Sequence, residues 1–236
     1  MASPVLLFDV NETLLDMRAL DRAFIRAFGS ATARQQWFLT LQGLWMTSTL
    51  TDAYQPFDTL ARAALDMTAR REGRELDPSD RDAILDGLKT LPPHSDVAGA
   101  LEKLRAAGIR LAALTNGTLK GAMLQLRHAR LADMFDHVFS VDQVKAYKPA
   151  PKPYRFAAHR LGVQPRTVYL VAAHAWDIAG AHAAGLSTVF VKRQGKVLNP
   201  SAPKPDIEVG DLGELAHNIA VRRQRLSARR ASGIGR

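Results

Sequence analysis

Cysteine is absent from this 236-residue chain, and with it go disulfides, zinc–thiolate sites and thiol catalysis. That absence suits a cytoplasmic protein. No apolar run reaches the ~20 residues that a bilayer-spanning helix needs, so no membrane partner is expected. The opening "MASPVLLFDV" lacks a basic region ahead of a long apolar segment and does not read as a signal peptide. Acidic residues are missing from the C-terminal stretch, where residues 221–236 hold six Arg and no Asp or Glu. The remaining residues carry 26 basic against 23 acidic side chains, so most of the formal +9 belongs to the tail. Such a run reads as a solvated, poorly ordered terminus, and no nucleic-acid partner is expected.

What is present fits one sizeable core with a smaller inserted domain: 47% of the residues are hydrophobic, an ordinary share for a globular chain. From Ile109 onward, short β-rich runs alternate with helical stretches. The strand candidates are Val5–Val10, Ile109–Thr115, His137–Val141, Thr167–Ala173, Ser187–Lys192 and Asp206–Gly210. Helix-like segments lie between them at Leu119–Ala129, Pro151–Leu161, Trp176–Ala184 and Leu212–Ile219. Another, Ser95–Gly108, reads as capped by Ser95 and stopped by Gly108. Continuous apolar strands alternating with helices imply an α/β fold whose parallel sheet is covered on both faces.

Residues 17–92 break that rhythm with four helical patterns: Arg18–Phe28, Ala33–Thr49, Tyr54–Arg71 and Pro78–Leu88. The expected organisation is an α/β core made of residues 1–16 and 93–220, a helical cap at 17–92, and the basic tail at 221–236. In open parallel sheets, chemistry gathers just beyond the carboxyl ends of the strands. Those ends deliver Asp9; then Thr115, Asn116 and Gly117; then Lys145, Lys148 and Tyr154; and finally His174, Trp176 and Asp177.

In this order, "DVNETL", "LTNG", "YKPAP" and "AWD" resemble the four motifs of the haloacid dehalogenase (HAD) superfamily of hydrolases. Within it the chain is most similar to the type II (S)-2-haloacid dehalogenases, over roughly Val5 to Ala220. The resemblance implies a Rossmann-like parallel sheet (the HAD fold) with an inserted all-helical cap. It implies that Asp9 is a nucleophile forming an ester that water later hydrolyses. Lys148 would hold Asp9 ionised. Thr115 and Asn116 would grip the carboxylate of a small substrate, and Asp177 would pair with Lys148 and position the water. The substrate is also expected to meet Asn11, Phe38, Phe57 and Tyr154, with His174 and Trp176 from the last motif. A homodimer is compatible with the resemblance.

Departures from the family pattern sharpen the reading. The superfamily's phosphatases keep a second aspartate two residues after the nucleophile to protonate a leaving alkoxide; Asn11 stands there and cannot act as an acid. One carboxylate of their metal site falls at Ala173, leaving Asp9 and Asp177 as the obvious carboxylate ligands, so no cofactor is expected, with weak Mg²⁺ binding at Asp9 and Asp177 left open. A halide leaves as a stable anion and needs no proton, which favours carbon–halogen cleavage over phosphate release. The dehalogenases, however, usually have Tyr at Asn11 and Gly at Glu12. They carry a halide-cradling Arg where Phe38 stands, although Phe57 keeps an expected aromatic. Their Ser and Asn of the last motif become Ala172 and His174. His174 either supplies the missing cation when protonated or is a neutral ring bonded to the cap. The alternatives carried forward are a phosphatase of the same fold and a binding protein with a degenerate pocket; the retained Asp9, Lys148 and Asp177 disfavour the latter.

Overall fold

Four consecutive apolar residues, Val5–Phe8, are buried at every position and form β1. A run without alternation has no wet face and demands cover on both sides. Residues 4–219 are described by the structure, a computed structural model; the Arg-rich stretch 221–236 lies outside the described residues. Five further strands follow: β2 (Arg110–Thr115), β3 (His137–Ser140), β4 (Val168–Ala172), β5 (Ser187–Val191) and β6 (Ile207–Val209). All pair in parallel, in the order β3-β2-β1-β4-β5-β6. Leu6 and Phe8 of β1 join one apolar cluster and Val5 and Leu7 join another, so the sheet separates two cores. The strand order reverses at β1, which places the crevice beyond its carboxyl end, between β2 and β4.

Between β1 and β2 the chain makes a short helical turn, Met17–Leu20, and then four helices: α1 (Asp21–Phe28), α2 (Thr32–Leu50), α3 (Phe57–Arg71) and α4 (Pro78–Gly87). The expected helix from Tyr54 begins later, at Phe57, because Pro56 stands at its N-cap and keeps the preceding residue out of helical backbone. α4 starts at a proline with the Asp77 carboxylate accepting the Ser79 N–H, a start that a sequence can encode locally. The insertion leaves and rejoins the sheet at one point, where Asp16 N–H donates to Pro92 O and Leu15 bridges Pro93. Phe24, Phe28, Trp37 and Leu41 pack within the insertion, with Phe24 and Trp37 ring centroids 5.5 Å apart. Trp45 instead faces the crevice, against Tyr147 and Trp176.

After the insertion come α5 (Val97–Ala106), α6 (Leu119–His128), α7 (Pro151–Arg160), α8 (Ala175–Ala183) and a helix over 212–219. α5 corrects the expected cap. It begins at Val97 after Asp96, and neither Ser95 nor the Asp96 side chain caps it. The Asp96 carboxylate is spent on longer links, accepting from Arg193 at 2.7 Å and from the Leu212 N–H at 2.8 Å. Those charge-assisted bonds tie the loop after β5 to the C-terminal helix and outweigh one local cap. Gly180 fixes how closely α8 approaches the segment before α7. A Cβ there would lie 2.5 Å from Pro149 O and 2.7 Å from Tyr154 Oη, so a side chain would push Asp177 away from Lys148. Among the described residues, no helix is long and apolar enough to cross a membrane.

Candidate active site

Asp9 follows β1 with its backbone N–H on Val171 O of β4, which fixes the carboxylate at the mouth of the crevice. Its Oδ1 accepts from Lys148 Nζ at 2.8 Å, and its Oδ2 accepts from Thr13 Oγ1 at 2.7 Å. Thr13 in turn accepts the Ala173 N–H at 3.0 Å, linking the Asp9 loop to the end of β4. Lys148 is fully buried, and its ammonium also donates to Asp177 Oδ2 at 2.7 Å and Leu114 O at 3.0 Å. All three N–H directions of the ammonium are therefore used. Asp177, in the first turn of α8, spends its other oxygen on Tyr154 Oη at 2.5 Å.

Two buried carboxylates share one ammonium, and their environments push them apart. Burial opposes ionisation of Asp9, but Lys148 and His174 outweigh it and hold Asp9 well below the usual carboxylate range. Burial raises Asp177, with Asp9's charge adding to the rise against the pull of Lys148. Burial also works against the Lys148 cation, yet Asp177 and Asp9 together raise it above the ordinary lysine value. The arrangement keeps Asp9 ionised.

Beside this trio stands a second charged cluster. His174, just before α8, is 5% exposed and lies flat between Trp176 (centroids 5.0 Å apart) and Phe38 (5.7 Å). Its Nε2 is 2.8 Å from Glu12 Oε2, and its Nδ1 is 3.4 Å from Asp9 Oδ2. Glu12 has φ 64°, a left-handed backbone that favours glycine. Its carboxylate also meets Lys196 Nζ at 2.5 Å and Arg34 at 3.7 Å, while Arg34 pairs with Asp21. Burial works against an imidazolium at His174, but Asp9 and Glu12 raise its pKa above the ordinary value. Burial likewise opposes the Glu12 anion, yet His174 and Lys196 bring its pKa down from 4.5 to about 2.

A stability prediction follows from Glu12. A depressed folded-state pKa contributes stability above the unfolded value of 4.5 that is lost as pH falls through about 2. The full contribution is roughly 3 kcal/mol, since each tenfold change in proton affinity is worth about 1.4 kcal/mol. Melting temperature should therefore fall on acidification from pH 5.5 to 3, and more gently in Glu12→Gln. Equal slopes for the two proteins would remove Glu12 from the account.

The expected site residues divide into two groups. Asp9, Lys148, Asp177, His174, Trp176 and Phe38 converge. Thr115 Oγ1 accepts the Gly117 N–H, and the Asn116 amide is spent on both backbone groups of Lys148. Tyr154 is wholly buried behind Asp177. Asn11 and Phe57 line a separate cleft of about 900 Å³ between the insertion and α6, where Asn11 Oδ1 accepts from Gln125. Lys145 turns away over the Tyr54 ring, 4.9 Å from its centroid. The site also includes Thr13, Glu12, Arg34 and Lys196 as partners that the sequence reading did not select. Arg34 precedes Phe38 by one helical turn and shares its face, and Lys196 follows the carboxyl end of β5; both signals were available.

Two indole N–H groups, those of Trp45 and Trp176, are buried without a hydrogen-bond partner among the described residues. Both rings enclose the space around His174 and Phe38, so the enclosure holds donors in need of an acceptor. No group of three or more His, Asp or Glu suited to a metal ion occurs among the described residues. The Lys148 ammonium stands between Asp9 and Asp177, in contact with both.

Residues 4–185 match the haloacid dehalogenase-like hydrolases. The (S)-2-haloacid dehalogenase of Pseudomonas sp. strain YL is 34% identical over 211 residues, which span 87% of this chain and 89% of that protein. The (S)-2-haloacid dehalogenase 4A of Burkholderia cepacia is 36% identical over 216 residues, 90% of each chain. Among solved structures, the L-2-haloacid dehalogenase of Xanthobacter autotrophicus with chloropropionic acid covalently bound is similar with a TM-score of 0.86. That pair is 26% identical, covering 93% of this chain and 99% of the other.

Proposed function

The chain belongs to the haloacid dehalogenase-like hydrolases, and from that premise we propose that it converts short 2-haloacids to 2-hydroxyacids through an ester on Asp9. The Asp9 carboxylate attacks the halogen-bearing carbon from the side opposite the halide, forming a C–O bond as the C–halogen bond breaks and inverting that carbon. Water then attacks Cγ of Asp9, releases the hydroxyacid and restores the carboxylate. Lys148 keeps Asp9 charged for the first step. We assign residues 17–92 as the cap over a core of residues 1–16 and 93–220. Phe38 and Trp45 of this cap shield the reaction from bulk water, and Thr115 and Asn116 act by holding the strand-end loop and Lys148 in place.

One observation carries the reading: a buried carboxylate kept ionised by Lys148, with no acid two residues on. Asn11 is instead an amide engaged by Gln125. An alkoxide departing from phosphorus needs a proton donor there, and a halide does not. The unpartnered indole N–H groups of Trp45 and Trp176 add donors suited to an anion in a water-poor enclosure. The relatives' dehalogenase names point the same way.

Ion-selective detection of halide from chloro-, bromo- and fluoroacetate and 2-chloropropionate tests this directly. We expect halide and 2-hydroxyacid in equal amounts, at a rate that EDTA leaves unchanged because displacement by Asp9 and departure of a stable anion call on no metal. Hydrolysis of a phosphate ester that strictly requires Mg²⁺, without halide release, would replace this reading with a phosphatase.

A further inference from the structure

We propose that His174, oriented by Glu12, is the base that cuts the Asp9 ester, in place of Asp177; this rests on the dehalogenase reading and assigns its second half-reaction. Asp177 is poorly placed for the task. Its two oxygens are taken by Lys148 at 2.7 Å and Tyr154 at 2.5 Å, and the side chain is fully buried. Full burial leaves water little approach to it, and protonation would remove one of the two negative charges that the buried Lys148 ammonium pairs with.

His174 has the geometry that Asp177 lacks. Its Nδ1 is 3.4 Å from Asp9 Oδ2 and makes no hydrogen bond among the described residues. Its Nε2 faces the Glu12 carboxylate at 2.8 Å, which holds the N–H on that nitrogen. A neutral ring therefore carries its lone pair on Nδ1, beside the carboxyl group that becomes the ester. Phe38 and Trp176 clamp the ring, so its direction is preset. Glu12 holds its left-handed backbone, where glycine would be relaxed, at the residue whose carboxylate performs this orientation.

The charges around the ring change during turnover. Asp9 faces it from the end of β1 and Glu12 from the following loop; Lys196, after β5, and Arg34, on α2, stand behind Glu12. Lys148 stands 5.7 Å from the Trp176 ring centroid, on the other oxygen of Asp9, and joins Asp9 to Asp177. Two flanking carboxylates favour the imidazolium in the resting enzyme. Ester formation removes the charge of Asp9, and the ring then releases its Nδ1 proton to solvent. That is the single proton produced overall when haloacid and water become hydroxyacid and halide.

The neutral Nδ1 next takes a proton from water as the water oxygen bonds to Cγ of Asp9. The bond from Cγ to the substrate oxygen breaks, and the same proton passes to the departing alkoxide. The second water proton, left on the Asp9 carboxylic acid, moves to Nδ1. Ionised Asp9 and the imidazolium are restored, and every atom is accounted for. Glu12 is a positioning residue in this scheme.

The test uses full-length parent, His174→Gln and Glu12→Gln with the haloacid the parent turns over fastest. Halide is counted, and intact mass is measured after rapid quenching. His174→Gln should release about one equivalent of halide, stop with the ester on Asp9, and turn over ~10²-fold or more slowly, the scale of a lost general base. Added imidazole should restart it. Glu12→Gln should slow the same step less, by about 10-fold, and move the acidic limb of the kcat–pH profile to lower pH, because the ring loses an anion. A His174→Gln enzyme that clears its ester as fast as the parent, or loses the first halide along with turnover, overturns the proposal alone. A parent that releases no halide overturns the dehalogenase reading and this proposal with it. Should His174→Gln fail to fold, indicator stopped-flow on the parent decides. Proton release with the halide supports the scheme, and proton release with the hydroxyacid defeats it.

Discussion

Asp9→Asn is expected to cut turnover by about 10⁴-fold or more while the protein stays folded, the scale on which an obligatory nucleophile acts. The amide has nearly the shape of the carboxylate but lacks the charge and lone-pair reactivity that displace a halide. The fold should tolerate the change because Lys148 keeps two of its three acceptors, Asp177 and Leu114 O. The competition of two buried carboxylates for one ammonium also ends. A melting temperature within a few degrees of the parent's, with no halide released even in the first turnover, is the expected pair of results. Isotope placement sharpens the point. In water enriched in heavy oxygen, a single parent turnover should leave the label in Asp9 and give unlabelled hydroxyacid, whose new oxygen came from the protein. Labelled hydroxyacid in that first turnover would mean that water attacks the substrate directly.

Much of the fold was legible in the sequence because it rests on local, repeated signals. Each of the six strands falls on a short β-rich run in the sequence, and "LPPHS" marks where the insertion rejoins the sheet. The convergence of Asp9, Lys148, Asp177 and His174 was legible for a topological reason: a parallel sheet delivers the ends of its strands to one edge. The use each polar group makes of its hydrogen bonds was not legible. Asn116 and Tyr154 are the right residue types for substrate contacts, yet one grips the Lys148 backbone and the other Asp177. The Glu12 cluster shows the limit most clearly. It joins residues 12, 34, 174 and 196 from four segments; helical spacing and a strand end point to Arg34 and Lys196 as site residues, yet nothing in sequence says that they meet at Glu12. Phe38 alone suggested a lost cation; the structure stacks its ring on His174 and sets Lys196 5.7 Å from its centroid.

Lys148→Met should produce the largest loss of stability together with a loss of turnover. Met fills similar space but leaves Asp9 and Asp177 buried together without the ammonium that both contact. Breaking a buried charge cluster from one side costs about 3–5 kcal/mol, because the remaining charges stay desolvated and unpaired. For a chain of this size that corresponds to a fall in melting temperature of roughly 10 °C. The pH dependence identifies the cause. In the parent, Lys148 helps hold Asp9 below its ordinary 3.8, so that contribution is present at neutral pH and lost only as pH falls below that value. In the variant, burial raises Asp177 further, and Asp9 keeps only His174 to oppose its own burial. A raised carboxylate is stable in its protonated form, and that stability disappears as pH rises through the folded-state pKa. The gap between parent and variant should therefore be widest near pH 7.5 and narrow toward pH 5. Adding Asp177→Asn to Lys148→Met should recover part of the lost stability at pH 7.5, since one buried charge is removed, and the two changes should be strongly non-additive. A gap that stays constant across this pH range, with additive substitutions, would assign the loss to packing around the lysine stem and leave the ammonium without its role in holding Asp9 ionised.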